Sequence, residues 1–305
     1  MRTLLRWGGI GAVLLVVAGA GLAVSITAPD LEKDRVDQLL ADRTSKWVDI
    51  GGTAVHYKEE GSGPALILLH NTGMWHGVWD GWVPILAGDF RVLRPDLPGF
   101  GLTGPTASQD YSMQRLAGFI GEFMDAVSLS EAHIAGLSLG GQVAWRFSLD
   151  HPERVRSLVL INPTGYPEKS LPAAFKLARS WAGGLIRFVG SPWLLRRNVA
   201  GLWGTRAEIP PGWIEDLLTS QRREGNRAAM VRFMRTENPS RHAEVGSLQV
   251  PVQIQWSQKC GPQRFSEDLP GAEMILYDDL GHFPNVEAPQ ESADHALRFL
   301  LRQSR

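Results

Sequence analysis

The sequence predicts an α/β protein: a mostly parallel, doubly wound sheet with an inserted helical cap, preceded by an apolar membrane segment. Three observations carry this. Short apolar runs alternate with helix-compatible stretches between residues 65 and 161, the order that builds a parallel sheet covered on both faces. The alternation stops at residue 163, and strand-type runs resume only near residue 250. Ahead of both, residues 7–28 contain no charged side chain.

Arg2 and Arg6 precede that uncharged stretch of 22 residues, which as a helix would span ~33 Å against a hydrocarbon core of ~30 Å. Small residues at 18–20 allow cleavage as a signal peptide, but the run exceeds the usual ~7 to 15 residue signal core. An uncleaved anchor is the favoured reading. Arginines on its N-terminal flank keep that end in the cytoplasm and send the remainder across, which is periplasmic in a bacterium. No cysteine follows the run, which argues against a lipoprotein. Residues 29–46 are charge-rich, with Leu31, Val36, Leu39 and Leu40 near helical spacing, and read as a spacer helix.

The segment WVDIGGTAVHYKEEG predicts two antiparallel strands around Gly51 and Gly52. Strands follow at residues 65–70, 91–95, 132–135 and 155–161, with helices at 111–128 and 142–149. Residues 163–246 hold helical stretches, four tryptophans and seven prolines without comparable strand runs, and form the expected cap. Residues 47–162 and 247–305 form the core, closing with strands at 250–256 and 273–277 and a helix at 289–301.

Hydrophobic residues make up 44% of the chain and charged residues 21%, ordinary values for a folded domain. A net charge of -1 gives no global reason to expect nucleic acid, and the single cysteine, Cys260, excludes an intrachain disulfide or a cysteine-based metal cluster. The charge is unevenly placed. Residues 163–246 carry 13 basic against 7 acidic side chains, so the cap is the basic part. Within it, residues 173–190 set Lys176, Arg179 and Arg187 along one side of a predicted helix, with Phe175, Leu177, Trp181, Leu185 and Phe188 largely elsewhere. Either this helix lies on a bilayer or it packs its apolar side over the site with its arginines in water.

The chemistry centres on GLSLGG, residues 136–141, where an apolar strand turns into a helix at Ser138. Side chains at Gly136 and Gly140 would collide with the strand and helix of so sharp a turn, and Gly141 eases the same crowding; this is a nucleophile elbow. A serine hydroxyl needs a base to take its proton during attack and return it to the leaving group. Of eight histidines, His282 sits in a glycine-flanked loop after a predicted strand, whereas His56, His133, His151, His242 and His295 have no such setting.

Several separated motifs between residues 48 and 301 together resemble the α/β-hydrolase family: His70 to Gly73, DLPGFG at 96–101, GLSLGG, LVLINP at 158–163, PVQIQW at 251–256 and GHFPNVEAP at 281–289. The resemblance implies Ser138 as nucleophile, His282 as general base, and an oxyanion hole from the backbone N–H groups of Leu139 and Thr72. It implies neither metal nor organic cofactor. Two departures stand out. Asn71 follows His70 where the family usually has glycine, and Cys260 falls where the family usually places the aspartate that orients the histidine. Asn162 occupies the alternative acid position, and Asp278 and Asp279 lie near His282 in sequence, so the third member stays open. Trp75, His76, Trp79 and Trp82 follow the oxyanion loop as candidates to wall the acyl pocket, with packing against the sheet the plainer reading for Trp79 and Trp82.

These residues lead us to expect a membrane-anchored serine hydrolase that cleaves carboxylic esters of small, lipophilic molecules. Carbon-carbon bond hydrolysis uses the same serine and histidine, and a degenerate hydrolase serving as a binding or scaffold module is the non-enzymatic alternative. Ser138 argues against the haloalkane dehalogenase and epoxide hydrolase types, whose alkyl-enzyme ester needs a carboxylate nucleophile.

Overall fold

A computed structural model describes residues 27–167, 173–261 and 264–304. Its centre is an eight-stranded sheet in the order β1-β2-β4-β3-β5-β6-β7-β8. β1 (Ser45–Ile50) and β2 (Thr53–Glu60) form a hairpin closed by Gly51 and Gly52, both at positive φ, the conformation that a two-residue turn matched to strand twist requires. β2 runs antiparallel to β4 (Arg91–Pro95), and every later pairing is parallel: β4 with β3 (Ala65–Leu69), then β5 (Ala132–Leu137), β6 (Val155–Ile161), β7 (Val252–Ser257) and β8 (Glu273–Tyr277).

The central strands are apolar on both sides because both sides are covered. Ile67, Leu69, Ile134, Leu158 and Leu160 face a core shared with helices α2 (Met113–Ala126) and α3 (Leu139–Asp150). Their alternates Leu66, Leu68, Ala135, Val159 and Ile161 face a second core built with Trp79, Trp82 and the C-terminal helix α8 (Pro289–Gln303). α2 starts where the Ser112 side chain accepts from the Arg115 amide at 3.2 Å, and it buries Leu116, Phe119, Ile120 and Phe123, the i, i+3, i+4, i+7 stripe of an amphipathic helix. The doubly wound, mostly parallel sheet is therefore as the sequence predicted.

Between β6 and β7 the chain builds helices and no strand among the described residues. These are α4 (Ala173–Arg179), a 3₁₀ segment (Trp181–Phe188), α5 (Pro192–Leu202), α6 (Trp213–Arg222) and α7 (Asn226–Arg235). The single helix expected over 173–190 is broken at Ser180, where Gly183 packs so close to the Ala178 carbonyl that a Cβ would lie 2.0 Å from it. The break also changes what is covered: Phe175 packs edge-on against Phe233, while Trp181 is 96% exposed.

The expected membrane segment lies outside the described residues except for Thr27 and Ala28. Among the described residues no helix is long and apolar enough to cross a membrane. The stretch read as a spacer forms α1 (Lys33–Leu40), which lies against the cap instead of standing off from it. Val36 is fully buried, and Leu31 exchanges backbone hydrogen bonds with Arg222 and Glu224 at 2.7 and 2.8 Å.

The turn from β5 into α3 leaves no room for side chains at Gly136 and Gly140. A Cβ on Gly140 would sit 2.2 Å from the carbonyl oxygen of Leu69 at the end of β3, and one on Gly136 2.4 Å from the Gly140 carbonyl. Both obstacles are backbone and cannot turn aside. We expect Gly140→Ala to lower the unfolding free energy by about 3 kcal/mol or more. Gly118→Ala, in α2 with open space around it, should raise the same quantity by ~1 kcal/mol in urea denaturation.

Candidate active site

Ser138 occupies the junction of β5 and α3 at φ 53° and ψ -109°, a region that costs a non-glycine residue of order 1–3 kcal/mol and persists only when its surroundings enforce it. The enforcement is visible. The Ser138 amide donates to the Ile161 carbonyl at 2.8 Å, and its own carbonyl accepts from Gln142 at 2.9 Å and Thr164 at 3.3 Å. The residue is buried to 8% exposure, at the carboxyl ends of the parallel strands, where open α/β sheets place their ligands.

His282 lies in the loop after β8. Its amide donates to the Leu202 carbonyl at 2.7 Å, and its carbonyl accepts from Asn162 Nδ2 at 3.1 Å. Residues 161–164, at the end of β6, thus bond to Ser138 on one side and to His282 on the other. No hydrogen bond joins the Ser138 hydroxyl to the His282 ring in this structure. Glu287, five residues on, fixes the loop from beneath: its carboxylate accepts from the amides of Gly204, Gly281 and Phe283 at 2.7, 2.8 and 3.1 Å. Sequence reasoning missed this residue, although it lies inside the motif GHFPNVEAP.

The ring nitrogen Nδ1 of His282 faces Cys260 Sγ at 3.4 Å. Burial pushes the Cys260 thiol up to about 11, with the nearby Glu287 carboxylate acting in the same direction, so at neutral pH it is an uncharged SH group. Burial likewise lowers the His282 pKa to about 4; the side chain keeps only part of its edge in solvent. Forming the imidazolium here costs about 3 kcal/mol more than in water, because burial strips the charged ring of its hydration.

The other candidates for the acid point elsewhere. Asn162, at φ 40°, accepts from the Ser257 amide at 2.8 Å and donates to the His282 carbonyl, so it holds the backbone of the loop and not the imidazole. Asp278 accepts from Gln258 at 2.5 Å, and Asp279 lies 3.7 Å from Arg206.

The backbone N–H groups of Leu139 and Thr72 have no protein acceptor among the described residues, as an oxyanion hole requires. The loop carrying Thr72 is braced by His70. Its Nε2 accepts from the Leu97 amide at 2.9 Å, leaving Nδ1–H to donate to the Asn71 carbonyl at 2.9 Å. Burial lowers the His70 pKa, which suits this neutral tautomer. Asn71 departs from glycine without strain, since its φ is not positive; the positive φ falls at Gly73.

Below this loop lies a buried carboxylate with two imidazoles. Asp96 Oδ2 accepts from His56 Nδ1 at 2.8 Å and His76 Nδ1 at 3.0 Å, and Oδ1 accepts from the His76 amide at 2.7 Å. These are direct hydrogen-bond separations, shorter than the ~3.3 Å kept by two ligands ~2.0 Å from a tetrahedral ion. The cluster ties β2, β4 and the oxyanion loop together. Trp79 and Trp82 are fully buried against the sheet, with Trp82 Nε1 donating to Ser292 in α8 at 2.9 Å. Trp75 packs on Trp213 of the cap, and a narrow cleft lies between Gly73, Met74 and Phe100 on one side and Gln221 and Met230 on the other.

The model of the alpha/beta hydrolase family matches residues 66–295 of this chain. The pimeloyl-[acyl-carrier protein] methyl ester esterase of Nitrosomonas europaea is 30% identical over 263 residues, covering 78% of this chain and 96% of the relative. The enzyme of the same name from Aeromonas hydrophila is 43% identical over 108 residues, 35% of this chain, and the match spans 41% of that relative's length. Among solved structures, a membrane phospholipase A described as a bacterial virulence factor superposes with a TM-score of 0.73 at 24% identity, covering 99% of both chains. That likeness concerns the fold.

Replacing the neutral thiol beside Nδ1 by a carboxylate gives a direct test of the site. In Cys260→Asp the charge should raise the pKa of His282 by one to three units and raise turnover, by up to ~10⁴-fold if geometry is preserved. A base works only when deprotonated, so the acid limb of kcat/KM should lie near pH 4 in the wild type and move upward in the variant. A pH profile measured with a p-nitrophenyl ester reads both; an unmoved limb would show that residue 260 does not face the ring.

Proposed function

Because the chain belongs to the alpha/beta hydrolase family and is a hydrolase, we propose that it cleaves carboxylic esters through an acyl-enzyme on Ser138. The observation that carries this reading is the enforced positive-φ backbone at Ser138, followed by a Leu139 amide that, like that of Thr72, has no protein acceptor among the described residues. His282 takes the hydroxyl proton as Oγ attacks the ester carbonyl. The two amides hold the oxyanion, a contribution of about 2.7 to 4 kcal/mol for one such donor. The proton passes to the departing alkoxide, and His282 then activates the water that releases the acid. The esterase names of the two curated relatives support a carboxylic ester as substrate.

The third position belongs, in this reading, to Cys260, not to a relocated acid. Glu287 is committed to three amides, and Asp278 and Asp279 are engaged away from the ring. With Nδ1–H directed at sulfur, Nε2 is left free to act as base, but the imidazolium gains no charge partner. Turnover is accordingly slow relative to a complete triad.

The uncharged residues 7–28 behind Arg2 and Arg6 support an anchored protein with its catalytic domain outside the cytoplasm. A fluorophosphonate probe should label the full chain at Ser138 and leave Ser138→Ala unlabelled. A folded but unlabelled wild type would overturn the nucleophile and favour a binding module. Alkaline carbonate washing of membranes from expressing cells should leave the protein in the pellet; release into the supernatant would refute the anchor.

A further inference from the structure

Residues 173–202 contain Lys176, Arg179, Arg187, Arg196 and Arg197 and no acidic residue. The same thirty residues hold six of the ten exposed large apolar side chains among the described residues: Leu177, Trp181, Leu185, Phe188, Trp193 and Leu202. Trp181, Trp193 and Leu185 are 96%, 65% and 61% exposed. A soluble surface does not ordinarily concentrate its aromatic groups in this way.

The cations lie among the aromatics. Arg187 stands 4.7 Å over the Phe188 ring and Arg197 5.6 Å over Trp193. Neither they nor Lys176 and Arg196 have a carboxylate partner among the described residues. Apolar bodies with arginine heads suit an interface that is hydrocarbon below and anionic above.

The chain's apolar N-terminal run ends against this surface. Thr27 pairs with Val189, the Ala28 amide donates to the Phe188 carbonyl at 3.2 Å, and Arg227 clamps the Ala28 and Val189 carbonyls at 2.8 and 3.1 Å. The described chain therefore begins beside Phe188, at the last two residues of the uncharged run. A second copy of the chain is a poorer occupant, since five cations without an acid would face five more.

We propose that the surface formed by α4, the 3₁₀ segment Trp181–Phe188 and α5 docks on an anionic bilayer, with Trp181, Leu185 and Trp193 entering the acyl boundary. The proposal takes from the anchored reading only the nearness of the bilayer. It can fail while the anchor stands.

The test uses the full chain carrying Trp7→Phe, which removes the tryptophan of the N-terminal run, reconstituted into phosphatidylglycerol-rich vesicles with brominated acyl chains. Flotation reports the anchor, and tryptophan quenching reports the face. Bromine should quench part of the emission, and that part should be lost in W181F/W193F and in R187E/R196E/R197E, with flotation unchanged. Trp47→Phe, an exposed tryptophan outside the surface, should leave it intact. An equal quenched share in the parent and in W181F/W193F would overturn the proposal. Cross-linking of the parent into pairs that W181F/W193F no longer forms would also overturn it, assigning the face to a second copy.

Discussion

The approach of Gly140 to the carbonyl of Leu69 is the constraint on which the site depends. It lets α3 begin directly above β3 and β5, with no room for a Cβ between helix and strand. Ser138 is then forced to a positive φ, and its neighbour's amide is turned out of the helix toward the ends of the strands. The same closeness brings the loop after β3, with Thr72, alongside the loop before α3. One backbone contact thus fixes both the turn at Ser138 and the approach of the loop after β3.

Much of this was legible because it is local. The spacing of glycines around Ser138 states a steric requirement that six residues express by themselves, and alternating apolar runs state a sheet buried on both faces. The cysteine at the acid position was also legible, since the strand at 251–256 fixes where the next loop begins. The direction of Asn162 was not. Its side chain bonds to Ser257 and His282, residues brought together only by the pairing of β6 with β7 and the return of the loop after β8. Glu287 and the His56–Asp96–His76 cluster were hidden for the same reason, their partners lying in separate elements. The cap departs from expectation in a more instructive way. Helical periodicity marks an apolar side, and the expectation that such a side packs inward is a statement about average proteins; here Ser180 and Gly183 break the helix, and Trp181 and Leu185 face outward.

Electrostatics separates this site from the arrangement its sequence resembles. A histidine base ordinarily works against an anion that both aims the ring and stabilises its protonated form. Here Nδ1 of His282 faces the Cys260 sulfur, and burial keeps the proton on that sulfur. The carboxylate of Glu287, in the same loop, is spent on three backbone amides. The loop is therefore held by its backbone, while the ring it carries has an uncharged thiol at Nδ1.

Glu287 also has a mechanical consequence. Its carboxylate accepts from Gly204, just after α5 in the cap, as well as from Gly281 and Phe283, and the amide of His282 is bonded to Leu202. Cap and catalytic loop are in effect laced along one seam. A shift of α5 away from the core would therefore be felt at once in the backbone of His282.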